Sequence, residues 1–282
     1  MKPRFFPLVI SVATCLSSHL CAEVVFFDEF HNPGSSASSH WYVRGENLES
    51  EKNVKEGNLR LARKDREQAV PRNSGVWKSF PTATLAEGES LRLTVVFSGA
   101  EVESAPFFRV VLADSPNLID GNGGVLDEPP PRFIYALGLP SGDFDQPEDQ
   151  NNVGFFESTT ENQIPGAPFV TPNLMSFTAP SPTKPVFSGP RKVLTNGPYG
   201  SSAVLVWELH NEKGVILSKG SWTGSEGEKT DFLDVHAEVI QHFAFNKVGI
   251  GFMVWDADWD GGKHLAESVL IDSVKLEKLG LR

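Results

Sequence analysis

Acidic residues at regular spacing in one short segment have the chemistry to bind a divalent cation. Segment 256–267 reads DADWDGGKHLAE and places Asp256, Asp258, Asp260 and Glu267 at positions one, three, five and twelve. Carboxylates at this spacing converge on one Ca²⁺, a glycine at position six permits the sharp turn, and a glutamate at position twelve binds through both oxygens. The backbone carbonyl of Gly262 completes the predicted ligand set. We therefore predict a structural calcium site in this segment.

The surroundings of this segment differ from those of a calcium loop between two helices. Strand-like residues precede the loop up to Trp255 and follow it from Ser268, whereas the helical form has a helix on each side. We therefore interpret 256–267 as a calcium loop between two strands. The alternative is an acidic, solvated hairpin that binds no metal.

Two tryptophans beside the acidic carboxylates are candidates for sugar binding. The flat face of an indole stacks on the C–H face of a pyranose ring, although tryptophan is also a large core residue. On the predicted strand that ends in IGFMVW, Ile250 and Phe252 share one face and Trp255 lies on the other; Trp259 lies in the acidic loop. We predict that Trp255 and Trp259 stack on a ligand. The remaining tryptophans are predicted to be buried: Trp41, Trp77, Trp207 and Trp222.

Common catalytic motifs do not occur in the chain. Neither G-x-S-x-G nor H-E-x-x-H is present, and the seven histidines are scattered. His236 and His242 are interpreted as partly solvated side chains rather than metal ligands. Retaining glycoside hydrolysis needs two carboxyl groups about 5 Å apart, and strands distant in the sequence can supply such a pair. Catalytic residues are therefore unknown at this level, and an enzyme stays an open alternative.

Composition limits the class of protein. The chain has 282 residues, of which 40% are hydrophobic, and 25 Lys and Arg against 36 Asp and Glu give a net charge of −11. These proportions are typical of a globular protein. The acidic balance argues against nucleic-acid binding, because phosphate contacts need clustered Lys and Arg. The length fits one large β-sandwich.

The N-terminal residues indicate export. Lys2 and Arg4 precede an apolar stretch at 5–16, and small residues end at Ala22, which together predict a signal peptide at 1–22. The protein is therefore expected to be secreted, to the extracellular space or the periplasm. The apolar stretch is shorter than the roughly 20 residues of a membrane-spanning helix, so no membrane span is predicted. Both cysteines lie within 1–22, which leaves the mature chain without thiols.

Hydrophobic periodicity indicates an all-β fold. Leu91, Leu93, Val95 and Phe97 alternate with other residues as in a strand with one face on a core. About ten short strands of this kind predict a two-sheet sandwich; the others are expected at 24–27, 58–62, 107–112, 133–139, 153–157, 203–210, 215–221, 248–255 and 268–277. One short helix is predicted at 231–243, where apolar residues recur at helical spacing behind Asp231.

The middle of the chain is rich in proline and glycine. Segment 113–200 contains 14 of the 20 prolines, and proline removes a donor from a strand ladder. We predict a Pro-rich loop insertion at 113–200 within a single domain that spans 23–282. Such an insertion is either a set of binding loops or a surface decoration.

Several segments at both ends of the mature chain resemble one known superfamily. They are FFDEF at 26–30, Trp41, EGNLRL at 56–61, VGIGF at 248–252 and LIDSVKLEKL at 270–279. Together they resemble the concanavalin A-like jelly roll of lectins, glucanases and laminin-G-like modules. The resemblance implies that the first and last strands pair in one sheet and that the concave face of the other sheet holds saccharide. It also implies a second structural calcium site at Asp28, Glu29 and Asp272; the alternative role of these residues is ordinary hydrogen bonding.

The leading hypothesis is a secreted, calcium-stabilised jelly-roll protein whose partner is a polysaccharide or other glycan. The first alternative is a polysaccharide lyase or glycoside hydrolase of the same fold. The second is a structural or adhesive envelope protein.

Overall fold

The structure is a computed structural model, and it describes residues 20–30, 41–44, 48–53, 58–63, 74–102, 107–114, 133–139, 154–159, 187–188, 202–237, 241–253 and 266–281. Every regular element in these residues is a β-strand. The strands are β1 (Leu20–Glu29), β2 (Tyr42–Arg44), β3 (Leu48–Asn53), β4 (Asn58–Arg63), β5 (Ser74–Thr84), β6 (Ser90–Val102), β7 (Phe107–Asp114), β8 (Phe133–Leu139), β9 (Gly154–Thr159), β10 (Phe187–Ser188), β11 (Ala203–Glu212), β12 (Val215–Thr223), β13 (Lys229–His236), β14 (Ala244–Met253) and β15 (Ala266–Leu281).

The strands form two antiparallel sheets. Sheet A has the order β13-β12-β11-β6-β15-β4-β3, and β1 also pairs with β15; sheet B has the order β10-β9-β8-β7-β14-β5-β2. The pairing of β1 with β15 runs from Leu20 opposite Leu281 to Glu29 opposite Ser273. The first and last described strands therefore lie side by side in one sheet, as the resemblance implied. The prediction of an all-β, two-sheet sandwich is confirmed.

The hydrophobic core lies between the two sheets. Leu91, Leu93, Val95 and Phe97 of β6 are all fully buried, which confirms the predicted alternation. Trp207 on the neighbouring β11 lies opposite Leu93 and is also fully buried. Because each such aliphatic or aromatic side chain contributes about 1.5–3 kcal/mol when buried, this pair of strands forms a large part of the stabilising core.

The predicted helix at 231–243 is wrong. Residues Lys229–His236 form β13, which pairs with β12 at the edge of sheet A. The register shifts between Gly220 and Ser221, and the Phe232 ring lies directly over Gly220. This irregularity turns both Phe232 and Leu233 toward the core, so the apolar residues follow helical spacing although the backbone is extended. Cross-strand packing of the aromatic and β-branched side chains therefore favours a strand over a helix in this segment.

The outer face of sheet A carries charges of alternating sign. Strand register aligns Glu277, Arg92, Glu208, Lys219 and Asp234 in one row across five strands. The Arg92 guanidinium donates to Glu208 from two nitrogens, at 3.0 and 2.8 Å. Opposite charges in such cross-strand pairs stabilise a sheet modestly. This face is therefore a solvated, charge-balanced surface.

The Pro-rich segment 113–200 contributes strands to the sandwich. Strands β8, β9 and β10 lie within this segment and extend sheet B beyond β7. Its remaining residues after Asp114, and most of the predicted signal peptide, lie outside the described residues. The described part of the chain contains no helix that is long and apolar enough to cross a membrane.

Candidate functional site

The predicted calcium loop lies almost entirely outside the described residues. Trp255, Asp256, Asp258, Trp259, Asp260 and Gly262 belong to 254–265, the connection from β14 in sheet B to β15 in sheet A. Glu267 lies within β15, near its first residue. Within the residues that the structure describes, no three His, Cys, Asp or Glu side chains form a group able to hold a metal ion. Calcium binding therefore stays a prediction.

Asp28, one of the acidic residues proposed for the second calcium site, has charged and polar partners within the chain. Asp28 is 2% exposed and Glu29, its neighbour on β1, is exposed. The Lys78 ammonium lies 2.8 Å from Asp28 Oδ2, and Trp41 Nε1 donates a hydrogen bond to the same oxygen at 2.5 Å. Lys78 also lies 5.3 Å from the centroid of the Phe26 ring. A lysine from sheet B therefore supplies the positive charge beside Asp28.

The two faces of sheet B can be distinguished by strand register. Val76, Val110, Val248 and Ile250 face the core between the sheets. Residues that alternate with them lie on the outer face, and cross-strand pairs keep the same face across the sheet. One row of positions on this outer face therefore comprises Tyr42, Trp77, Gly249, Val111, Ala136 and Phe156. A neighbouring row comprises Arg44, Gly75, Gly251, Arg109, Gly138, Gly154 and Ser188.

Trp77 lies flat against the backbone of β14. A Cβ built on Gly249 would lie 2.6 Å from Trp77 Cζ3, so the indole occupies the space above this glycine. Trp77 is 1% exposed and Val111 is 2% exposed, although neither belongs to the core between the sheets. The middle of the outer face of sheet B is therefore closely packed and shielded from solvent. In this respect it differs from the charged outer face of sheet A.

A cluster of polar side chains lies where β7 ends and β14 begins. His242 Nε2 lies 3.2 Å from Asp114 Oδ2, and Asn246 Nδ2 donates to Asp114 Oδ1 at 3.3 Å. Lys247 Nζ donates to Asn246 Oδ1 at 3.4 Å. Asp114 and Lys247 are 7% and 8% exposed. Burial lowers the pKa of Lys247, and the nearby Asp114 charge partly opposes this shift.

This polar cluster combines groups that can exchange protons. A carboxylate next to an imidazole orients the ring, which is how many general acids and bases are arranged. A buried ammonium beside them can hold an anionic group. We call Asp114, His242, Asn246 and Lys247 the strand-end cluster. The sequence does not connect these residues, because 128 positions separate Asp114 from His242; its one visible signal is an aspartate at the end of the apolar run of β7.

The predictions for individual tryptophans can be compared with the structure at four positions. Trp41, Trp77, Trp207 and Trp222 are all buried, as expected. The ligand-stacking candidates Trp255 and Trp259 lie outside the described residues. Met253, the last described residue of β14, is on the outer face with Gly249 and Gly251.

Comparisons with known proteins identify the fold. No protein-family model and no curated protein sequence matches the chain. Among solved structures, the basic winged bean lectin with Tn-antigen matches with a TM-score of 0.52 at 10% identity, over 92% of this chain and 98% of the lectin. An endo-1,3-beta-glucanase from Streptomyces sioyaensis matches with a TM-score of 0.52 at 13% identity, over 92% of this chain and 97% of the enzyme.

A third solved structure agrees with these two. The lectin from Bauhinia forficata in complex with GalNAc matches with a TM-score of 0.51 at 9% identity, over 92% of this chain and 98% of the lectin. Lectins and a glucanase thus share one two-sheet architecture with this protein over almost their whole length, which is the architecture that the sequence resemblance indicated. The chain has the concanavalin A-like jelly-roll fold.

Proposed function

We propose that the protein binds a polysaccharide or other glycan on sheet B, beside the end of β14. The observation that carries this proposal is the two-sheet architecture that the chain shares with a lectin and a glucanase over 92% of its length. Aromatic rings stack on the apolar faces of sugar rings. The likeness in fold to lectins solved with Tn-antigen and GalNAc supports this proposal.

We further propose that Trp255 and Trp259, which follow β14 in the sequence, stack on the glycan. Affinity electrophoresis of the purified protein in gels that contain single soluble polysaccharides tests the proposal. Retardation by at least one polymer is expected, and Trp255→Ala with Trp259→Ala should reduce it. Phe27→Ala is the matched control, because Phe27 is an exposed aromatic residue on sheet A.

Two results would contradict this function. Migration unchanged by every polymer would reject glycan binding and favour a protein-binding envelope component, which pull-down of a surface partner in the absence of sugar would identify. An equal loss of retardation in Phe27→Ala would reject the assignment of the site to sheet B.

Export and calcium are separate parts of the proposal. Signal-peptide cleavage after Ala22 predicts Glu23 as the first residue of the secreted protein, which N-terminal sequencing tests. Calcium binding at 256–267 predicts that Asp256→Ala and Asp260→Ala lower the melting temperature in calcium but not in EDTA, because an ion stabilises only the folded loop. An equal melting temperature for variant and wild type in calcium would reject the metal site.

A second candidate function is catalysis on a glycan, and the strand-end cluster favours it. Asp114 and His242 form a carboxylate–imidazole pair, and Lys247 supplies a buried cation beside them. If the cluster performs acid–base chemistry, the purified protein should shorten a polysaccharide, and His242→Gln should abolish this activity. His236→Gln is the control, because its side chain is 57% exposed and lies on sheet A. Unchanged chain length in all polymers would exclude this candidate.

A further inference from the structure

We propose that segment 160–186, the connection from β9 to β10, packs across the outer face of sheet B as a third layer. This inference does not depend on glycan binding. It starts from the low exposure of side chains that face away from the core between the sheets.

The outer face of sheet B is shielded, whereas the outer face of sheet A is open to solvent. Val111 is 2% exposed and Ala113 is fully buried, although both alternate on β7 with residues of the core between the sheets. At comparable positions of sheet A, Val204 and Val206 on β11 are partly exposed. Sheet A packs on the opposite side of sheet B, so it cannot shield Val111 and Ala113. The shield therefore comes from another part of this single chain.

Exposure increases across three neighbouring strands of sheet B. Ala113 on β7 is fully buried, its partner Lys247 on β14 is 8% exposed, and Ser79, the partner of Lys247 on β5, is exposed. Strands β8, β9 and β10 extend the sheet on the other side of β7. The covering segment therefore enters from the side of β8, β9 and β10.

Four connections outside the described residues begin on that side of the sheet, at 115–132, 140–153, 160–186 and 189–201. Segment 160–186 is the longest, and its residues 162–183 include no Asp, Glu, Lys or Arg, although 22% of the whole chain is charged. The other three connections each contain two or more charged residues. The large apolar side chains of 160–186 include Ile164, Phe169, Val170, Leu174, Met175 and Phe177. This composition is typical of a buried segment.

The length and the proline content of the segment suit it to lie across the sheet. β9 ends at Thr159, and β5 lies four strand intervals away, which is about 19 Å at the usual spacing. An extended chain of 27 residues reaches about 90 Å, enough to cross the sheet and return. Six of these residues are proline, which has no backbone N–H, so fewer donors need a partner when the segment is buried outside a strand ladder. A glycan beside the end of β14 would then contact the margin of sheet B and not its centre.

The test measures how fast a single thiol on the outer face reacts with iodoacetamide. Val111→Cys is introduced into the full chain together with Cys15→Ser and Cys21→Ser, which replace its two natural cysteines. We expect this thiol to react at least about 100-fold more slowly than that of Ser79→Cys, because a covered thiol reacts only during local opening. Ser79→Cys is the matched control, since Ser79 lies on the same face and is exposed.

Replacement of the segment then identifies the cover. Exchange of 162–183 for a Gly–Ser linker of about eight residues should speed the reaction of Val111→Cys at least about tenfold. The same linker in place of 116–131 should change the rate less than about twofold. Melting temperatures show whether each variant is folded. If the shortened variant does not fold, a diazirine amino acid at position 111 of the intact chain is irradiated, and a cross-linked peptide from 160–186 is expected.

Three results would overturn the inference. Fast reaction of Val111→Cys in the intact chain would show that the face is open. Slow reaction after exchange of 162–183, or a cross-link to any other segment, would assign the cover elsewhere in the chain. A cross-link between two chains would make the cover a second copy of the protein. None of these results bears on glycan binding, which affinity electrophoresis tests separately.

Discussion

The buried ion pair between β1 and β5 provides the sharpest test of how the two sheets are joined. The Asp28 and Lys78 side chains are 2% and 8% exposed, and their charged atoms are 2.8 Å apart. Lys78→Met keeps a long apolar side chain and removes the charge. Asp28 then remains buried with the Trp41 hydrogen bond but without a positive partner.

The expected loss of unfolding free energy is large because the Asp28 carboxylate loses its charge partner and stays out of water. Removal of one member of a buried pair typically costs about 3–5 kcal/mol, and the low exposure of both side chains places this pair in that class. Urea denaturation at pH 7 measures the free energy of unfolding. Adding Asp28→Asn to Lys78→Met should recover about half or more of the loss, since the amide oxygen still accepts from Trp41 Nε1 and carries no charge.

A matched control separates burial from charge. Lys219→Met removes an ammonium that is 51% exposed and 3.9 Å from Asp234, and it should cost about 1 kcal/mol or less. A loss of about 1 kcal/mol or less for Lys78→Met as well would refute the reasoning. The same conclusion would follow if the double variant were less stable than Lys78→Met alone.

Two further predictions concern the outer face of sheet B. Gly249→Ala should cost about 1–3 kcal/mol in urea denaturation, because the new Cβ would lie 2.6 Å from Trp77. Gly280→Ala meets only the flexible end of Glu89 at 3.3 Å and should change stability by about 0.5 kcal/mol or less; equal costs would contradict the packing of Trp77. Burial lowers the pKa of Lys247 in the folded state, so the unfolded chain binds more protons between that lowered pKa and the usual 10.5. The free energy of unfolding of the wild type, relative to that of Lys247→Met, should therefore rise with pH through this window and stay level below it. A difference that falls or stays flat from pH 7 to 10.5 in urea denaturation would contradict the lowered pKa.

Strands with regular alternation were predictable from the sequence. β6 and β11 have one fully buried face, and their period of two is visible at Leu91 to Phe97 and around Trp207. β5 was not predicted. Its pairing with β14 contains a register shift and its sequence contains Pro81, which together interrupt the alternation. β2 and β10 have three and two residues, which is too short for a period to appear.

The candidate site was less predictable because its residues come from strands distant in the sequence. Asp28 attracted attention as an acidic residue on the first strand, but its actual partner is Lys78, fifty positions later and in the other sheet. The cluster around Asp114 and His242 depends on the antiparallel pairing of β7 with β14. Spacing along the chain shows which residues have suitable chemistry. Sheet topology decides which of them meet.

Charged side chains are paired differently at the surface of sheet A and between the two sheets. On sheet A, neighbouring strands neutralise one another at the solvent-facing surface, for example at Arg92 and Glu208. Between the sheets, Lys78 supplies the cation for Asp28, so this junction is stabilised by a group within the chain. Both arrangements use partners within the chain: cross-strand pairs at the surface of sheet A, and one buried pair between the sheets.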